Sequence, residues 1–98
     1  MIKKATIYRV DGTIEDVTPE KYLELKQMQK IVGGYIEMVD FPDGIVMICN
    51  EEGRINDQEE NPNATKIWRE KYPINKYPNN NPTNVIGDVI ICTPDCLE

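Results

Sequence analysis

Histidine is absent from this 98-residue chain. That removes the commonest metal ligand and the general base of a Ser-His or Cys-His pair. Cysteine is sparse: Cys49, Cys92 and Cys96 form an odd set without CxxC spacing, so neither a disulfide framework nor a zinc site is indicated. Pro94 and Asp95 separate the last two and argue against a helical metal pair. They read as incidental thiols suited to a reducing cytoplasm. No phosphate loop of the GxxxxGK[ST] or GxGxxG type occurs. Long apolar runs are also missing, and the opening residues pass from Lys3 and Lys4 into an alternating pattern, so neither a signal peptide nor a membrane span is expected. Basic residues are too few for nucleic acid: 11 Lys and Arg against 17 Asp and Glu leave a net charge of −6, which a phosphate backbone would repel. An acidic surface of this size keeps a small domain soluble, and it can also meet a basic partner.

What is present describes an ordinary folded domain, 40% hydrophobic and 29% charged, with residues 1–98 forming a single compact unit. Lys4 to Val10 alternate as a half-buried strand does, and Asp11-Gly12 signals a two-residue hairpin returning through Thr13 to Val17. Thr18 and Pro19 read as N-cap and first residue of a helix, with Leu25, Met28 and Val32 on its apolar face and Gly33 as its left-handed stop. Gly34 releases the chain into a strand at Tyr35 to Asp40. Ile45 to Asn50 follows as its partner, and its unbroken apolar run places it centrally, covered on both faces.

Asn50 to Gly53 form a polar turn, and Asn61-Pro62 repeats the capping logic for a short helix carrying Ala64, Ile67 and Trp68 on one face. Residues 73–84, rich in asparagine and proline, favour an irregular, mobile segment. Val85 to Cys92 supply a last strand, with Gly87 and Asp88 marking a bulge or crossing. Leu97 and Glu98 are given no structural weight. The expected fold is α+β in the order β-β-α-β-β-α-β: a small antiparallel or mixed sheet of four to five strands with two helices packed on one face.

Four stretches become informative together: Val32-Gly33-Gly34-Tyr35-Ile36-Glu37; Asn50-Glu51-Glu52-Gly53; Asn61, Asn63 and Ala64 with Trp68; and Ile86-Gly87-Asp88-Val89. As a set they resemble a domain-of-unknown-function family of short proteins encoded by bacteriophages, plasmids and other mobile elements. The likeness runs from the first helix to the last strand, and the amino-terminal hairpin and residues 73–84 depart from its compact pattern. It implies an accessory protein in a host cell cytoplasm and transfers no activity.

No full catalytic set exists, so no enzyme is expected. Glu37 could pair with Glu51 or Asp88 for acid-base work, but it more simply lies on a solvated sheet face. A metal would need Glu51, Glu52 and Asp57 to converge, and neither a metal nor a cofactor is expected. The stronger candidates are amides and an aromatic. Asn61 and Asn63 stand at a helix start, where free N–H groups favour anions and amides can read a base. Trp68 could stack on a ring, with Tyr35 or Tyr72 as a second wall, although its spacing also suits the core. Arg54, Lys66 and Arg69 could neutralise a phosphate nearby. The ligand-binding set is therefore Asn50, Glu51, Arg54, Asn61, Asn63 and Trp68. It motivates a non-catalytic protein that binds and sequesters a nucleotide-like molecule, such as a host defence signal. The alternative is an acidic inhibitor or DNA mimic that uses Glu51, Glu52, Asp57, Glu59 and Glu60 on a host protein. Exposed sheet edges would allow a homo-oligomer. The small-molecule reading requires the amide-bearing mouth before Trp68 and the bend after Cys49 to lie near each other and form a shared recess.

Overall fold

A computed structural model describes residues 2–53, 58–80 and 84–98. Strands β1 (Ala5–Tyr8) and β2 (Ile14–Asp16), helix α1 (Leu25–Val32), strands β3 (Ile36–Asp40) and β4 (Val46–Asn50), helix α2 (Pro62–Lys71) and strand β5 (Val89–Cys92) follow in the expected order, and a short 3-10 turn, Pro94–Cys96, comes after β5. They form an α+β domain whose five strands make one sheet in the order β2-β1-β5-β4-β3, with every pairing antiparallel.

β5 occupies the middle because Val89-Ile90-Ile91-Cys92 offers apolar side chains to both faces, as a covered strand requires. Ile7, Ile90 and Ile48 stand in register across β1, β5 and β4, each at most 2% exposed. On the same face lie Met28 and Val32 of α1, together with Leu23. On the other face Met47 and Val89 pack with Ala64 and Trp68 of α2 and with Tyr72 and Phe41. The expectation of both helices on one face is therefore corrected: α1 and α2 cover opposite faces, because the alternating side chains of the central strands leave two apolar surfaces to bury.

Both hairpins use the same loop. Val10-Asp11-Gly12 and Pro42-Asp43-Gly44 close between paired residues, with Arg9 N–H on Thr13 O and Phe41 N–H on Ile45 O. Gly12 has φ +92° and Gly44 φ +89°. These are three-residue loops ending in a left-handed glycine, rather than the two-residue turn predicted for Asp11-Gly12. In each, the aspartate side chain accepts the N–H two residues on, from Thr13 and from Ile45.

Helix α1 begins later than its sequence signals. Thr18 Oγ1 accepts the Ala5 N–H at 3.0 Å, and Lys3 Nζ donates to the carbonyls of Glu20 and Lys21 at 3.1 and 2.6 Å. The segment is thus drawn along the sheet, and it buries Leu23, whose N–H donates to Cys96 O at 2.8 Å. Leu25, assigned by periodicity to the apolar face, is instead 55% exposed. Gly33 ends the helix as expected, at φ +83°. Leu97, expected to carry no weight, packs partly buried against the α1-side core.

Candidate functional site

The α2 face of the β3–β4 hairpin does not end at its aromatic packing. Phe41, Trp68, Tyr72 and Tyr77 form a chain of edge-on and tilted ring contacts with centroids 4.9 to 5.8 Å apart. The Trp68 Nε1–H donates to Asn80 O at 2.7 Å. Beyond Trp68 a recess of about 360 Å³ opens toward the turn after β4. Val39, Met47 and Cys49 contribute from the two strands, and Val85 and Ile86 from the run into β5. Glu37, Glu51, Glu52, Gly53 and Asn84 complete the lining. Strand alternation explains the Glu37 position: Ile36 packs on the α1 side and Val39 on the α2 side, so Glu37 shares the Val39 face.

The turn is held from beneath. Asn50 Nδ2 donates to Val32 O at 3.1 Å, and its Oδ1 accepts the Glu52 N–H at 2.7 Å. Its buried amide therefore ties the end of α1 to the turn, while the residue itself still borders the recess. A second tie comes from Gln58, which enters a slot walled by glycines. A Cβ at Gly53 would stand 3.2 Å from Gln58 Oε1, one at Gly33 would stand 3.6 Å from Nε2, and one at Gly87 would collide with Oε1. That oxygen is buried and has no hydrogen-bond partner among the described residues. The Asn50 and Ile86 carbonyl oxygens would each stand 3.6 Å from a Cβ at Gly53.

The structure sorts the expected site residues. Asn50, Glu51 and Trp68 meet around the recess. Asn61 is corrected to a structural role. It is 0% exposed, its Nδ2 donates to Tyr8 O at 2.7 Å and Gly87 O at 2.9 Å, and its Oδ1 caps α2 by accepting Ala64 N–H at 3.0 Å. That amide knits β1, the approach to β5 and α2 together, and both donors are spent. Asn63, in the first turn of α2, is not among the recess lining, and neither is Tyr35 or Tyr72. Lys66 and Arg69 border a separate hollow beside Glu60. Arg54 and Asp57 lie outside the described residues.

Glu37 and Glu51 do come together around the recess, whereas Asp88 is turned away, bound to Arg9 Nη1 at 3.2 Å and to Val10 N–H at 2.8 Å. Glu59 borders a hollow with Arg9 and Lys30, and Glu60 one with Lys66 and Arg69. Among the described residues, Glu51 and Glu52 thus open apart from Glu59 and from Glu60. Among the described residues no group of three His, Cys, Asp or Glu could hold a metal ion. No helix among them is long and apolar enough to cross a membrane.

Cys49 brings a thiol to the recess, and burial, reinforced by the negative charge of Glu37, pushes it up to about 11. A thiol held protonated there is a poor nucleophile and behaves as part of an apolar wall. The recess residues that sequence reasoning missed, Glu37, Val39, Met47 and Cys49, alternate along β3 and β4. Their common face becomes visible once the register Glu37↔Cys49 and Val39↔Met47 is known.

These features define a small antiparallel α+β domain with a lined recess at one end of its sheet. Residues 4–97 match a domain of unknown function (DUF3846), and the chain belongs to that family. The match spans the amino-terminal hairpin as well as the stretch from the first helix to the last strand. No curated protein and no solved structure matches the chain.

Proposed function

We propose that the protein is a non-catalytic ligand-binding protein that captures a small, ring-bearing, nucleotide-like molecule in the recess beside Trp68. The observation that carries this reading is the convergence of Trp68 with the Asn50 to Gly53 turn around one lined cavity. An apolar, partly aromatic floor with a few polar groups at its margin suits a small organic ring. The protonated Cys49 and the lack of a histidine anywhere in the chain fit capture better than turnover. If the family resides on phages, plasmids and other mobile elements, as the Val32–Glu37 and Asn50–Gly53 resemblance suggests, the captured molecule is a host signal and the effect is anti-defence sequestration in the host cytoplasm.

The competing reading, an acidic inhibitor or DNA mimic, has less support because Glu59 and Glu60 open beside basic residues and away from Glu51 and Glu52. Mass spectrometry of small molecules released from protein purified without denaturation, with calorimetry against cyclic and ADP-ribose-type nucleotides, tests the proposal. A stoichiometric ligand or a saturable heat is expected. An empty protein that gives no heat with the panel would overturn it.

A further inference from the structure

We propose that the outer edge of β3 is the interface of a homodimer, in which two copies of the chain join their sheets strand to strand about Met38. The inference goes beyond the capture reading and does not depend on it. It begins with where the backbone groups of β3 point. The hairpin loop pairs Phe41 N–H with Ile45 O, and at the far end Glu51 N–H donates to Tyr35 O. In the antiparallel register Val39↔Met47 and Glu37↔Cys49 are therefore the bonded pairs, and the N–H and C=O groups of Ile36, Met38 and Asp40 face away from β4. Among the described residues, the partner shown for these groups is the Tyr72 hydroxyl, which donates to Asp40 O at 3.2 Å and leaves that oxygen a second lone pair. The strand runs through five residues in unbroken register, without the lysine, proline or bulge that ordinarily blunts an edge.

A second copy answers this edge in one register. Antiparallel pairing about a two-fold axis at Met38 sets Met38 against the partner's Met38, Ile36 against the partner's Asp40 and Asp40 against the partner's Ile36. Each of these is a bonded pair, so every outward N–H meets a carbonyl. Between them Glu37 faces the partner's Val39. No like charges stand directly opposite, and the two Glu37 carboxylates are diagonal neighbours, which lowers the affinity without forbidding the register. Met38 is 47% exposed on the face that α1 covers, where Leu25 is 55% exposed, and the axis gives Met38 an apolar partner. The opposite edge does not offer this. With Arg9 N–H on Thr13 O and Val17 N–H on Ala5 O, Ile14 and Asp16 of β2 point outward, and the two-fold register that would bond both sets Glu15 directly against the partner's Glu15. One edge that pairs with itself and one that does not give a closed dimer and not a filament. Because Glu37 lines the recess, the partner's Val39 comes to the rim of each recess.

Sedimentation velocity of the intact protein from micromolar to millimolar concentration, with amide exchange read residue by residue by NMR, tests the proposal. An equilibrium between monomer and dimer is expected. As the dimer forms, the N–H groups of Ile36, Met38 and Asp40 should become protected, while those of Glu37 and Val39, already bonded to β4, keep their rates. Met38→Pro deletes an outward N–H and spares the ladder to β4, and it should weaken association by about tenfold or more. Ile14→Pro makes the same change on the β2 edge and should leave association unaltered, with thermal melts showing that both variants fold. Should Met38→Pro fail to fold, the alternating protection in the unaltered protein decides alone. A dimer whose protection falls elsewhere than on alternate residues of β3 would overturn the proposal. A monomer at every concentration would overturn it too, and would leave this edge to an extended segment of another protein.

Discussion

Gly34 and Asn50 are fitted to each other: a Cβ on residue 34 would stand 2.9 Å from Asn50 Nδ2, closer than a carbon and an amide nitrogen can rest. The expected outcome is that Gly34→Ala displaces the amide from Val32 O and costs about 1–3 kcal/mol, the range for stranding a buried polar group. Asn50→Ala should cost a similar amount, and the double variant should cost less than the sum because both changes remove the same tie. Urea unfolding of the four proteins checks this, and strict additivity would show the two sites to be independent.

Asn61 makes a sharper case. Asn61→Ala removes a helix cap and two buried bonds to carbonyls, an expected loss of about 2–4 kcal/mol. Asn61→Asp keeps the cap acceptor, yet it points a carboxylate at the Tyr8 and Gly87 carbonyls and should be the worse variant. The order of melting temperatures decides it, since an Asp variant more stable than Ala would mean that capping outweighs the carbonyl bonds.

Gly87 sits at φ +81°, with Gln58 Oε1 in the place of a Cβ. Gly87→Ala is expected to destabilise by about 1–3 kcal/mol through strain and collision together. Gln58→Ala in that background should recover the collision part alone. Equilibrium unfolding of the pair measures how much stability returns, and a wholly unrescued double variant would assign the cost to the backbone.

The pH dependence is carried in part by Asp43. Its hydrogen bond with Lys71 holds the carboxyl below the ordinary value of 3.8, and the Ile45 N–H adds to this. A folded-state value below the unfolded one contributes stability at pH above that ordinary value and loses it as the pH falls through the folded value. Because the Asp43 side chain is 46% exposed, the contribution is expected to be less than about 1 kcal/mol. Asp43→Asn should therefore melt lower than the parent at neutral pH, and the gap should close in acid. A gap that widened on acidification would contradict the assignment.

Thiol chemistry tests the recess wall. At about pH 8 a free cysteine is roughly one-quarter thiolate, whereas a thiol at about 11 is only about 0.1% ionised. Cys92, pushed up to about 12 by burial with Cys96 beside it, is more protected still. Reaction with a disulfide reagent is expected on the order of 100-fold slower than for free cysteine in the native protein, and at the free rate in denaturant. Prompt labelling of native Cys49 would show that its wall is open.

Much of the fold was legible because its signals are local. The Asn61-Pro62 start of α2, the Gly33 stop of α1 and the central placing of β4 follow from one residue's conformational needs or from a short apolar run. The start of α1 was not legible, since Thr18 has the chemistry of an N-cap and spends it on the Ala5 N–H, a partner 13 residues away. The opposite placing of the helices could have been read: a strand apolar at every position from Ile45 to Cys49 needs cover on both sides. The recess was half legible. Asn50, Glu51 and Trp68 could be named from residue type, but Glu37 and Cys49 join them only through strand register, and Asn61 looked available because nothing local announces its bonds to Tyr8 and Gly87.

The position of β5 bears on how the chain is made. Ala5 meets Cys92 and Val46 meets the same residue from the other side, so the two halves of the sheet have no neighbour in common until the final strand leaves the ribosome. Until then the growing domain would hold an unzipped gap between β1 and β4, and such a topology, rich in distant pairings, acquires its structure late and slowly.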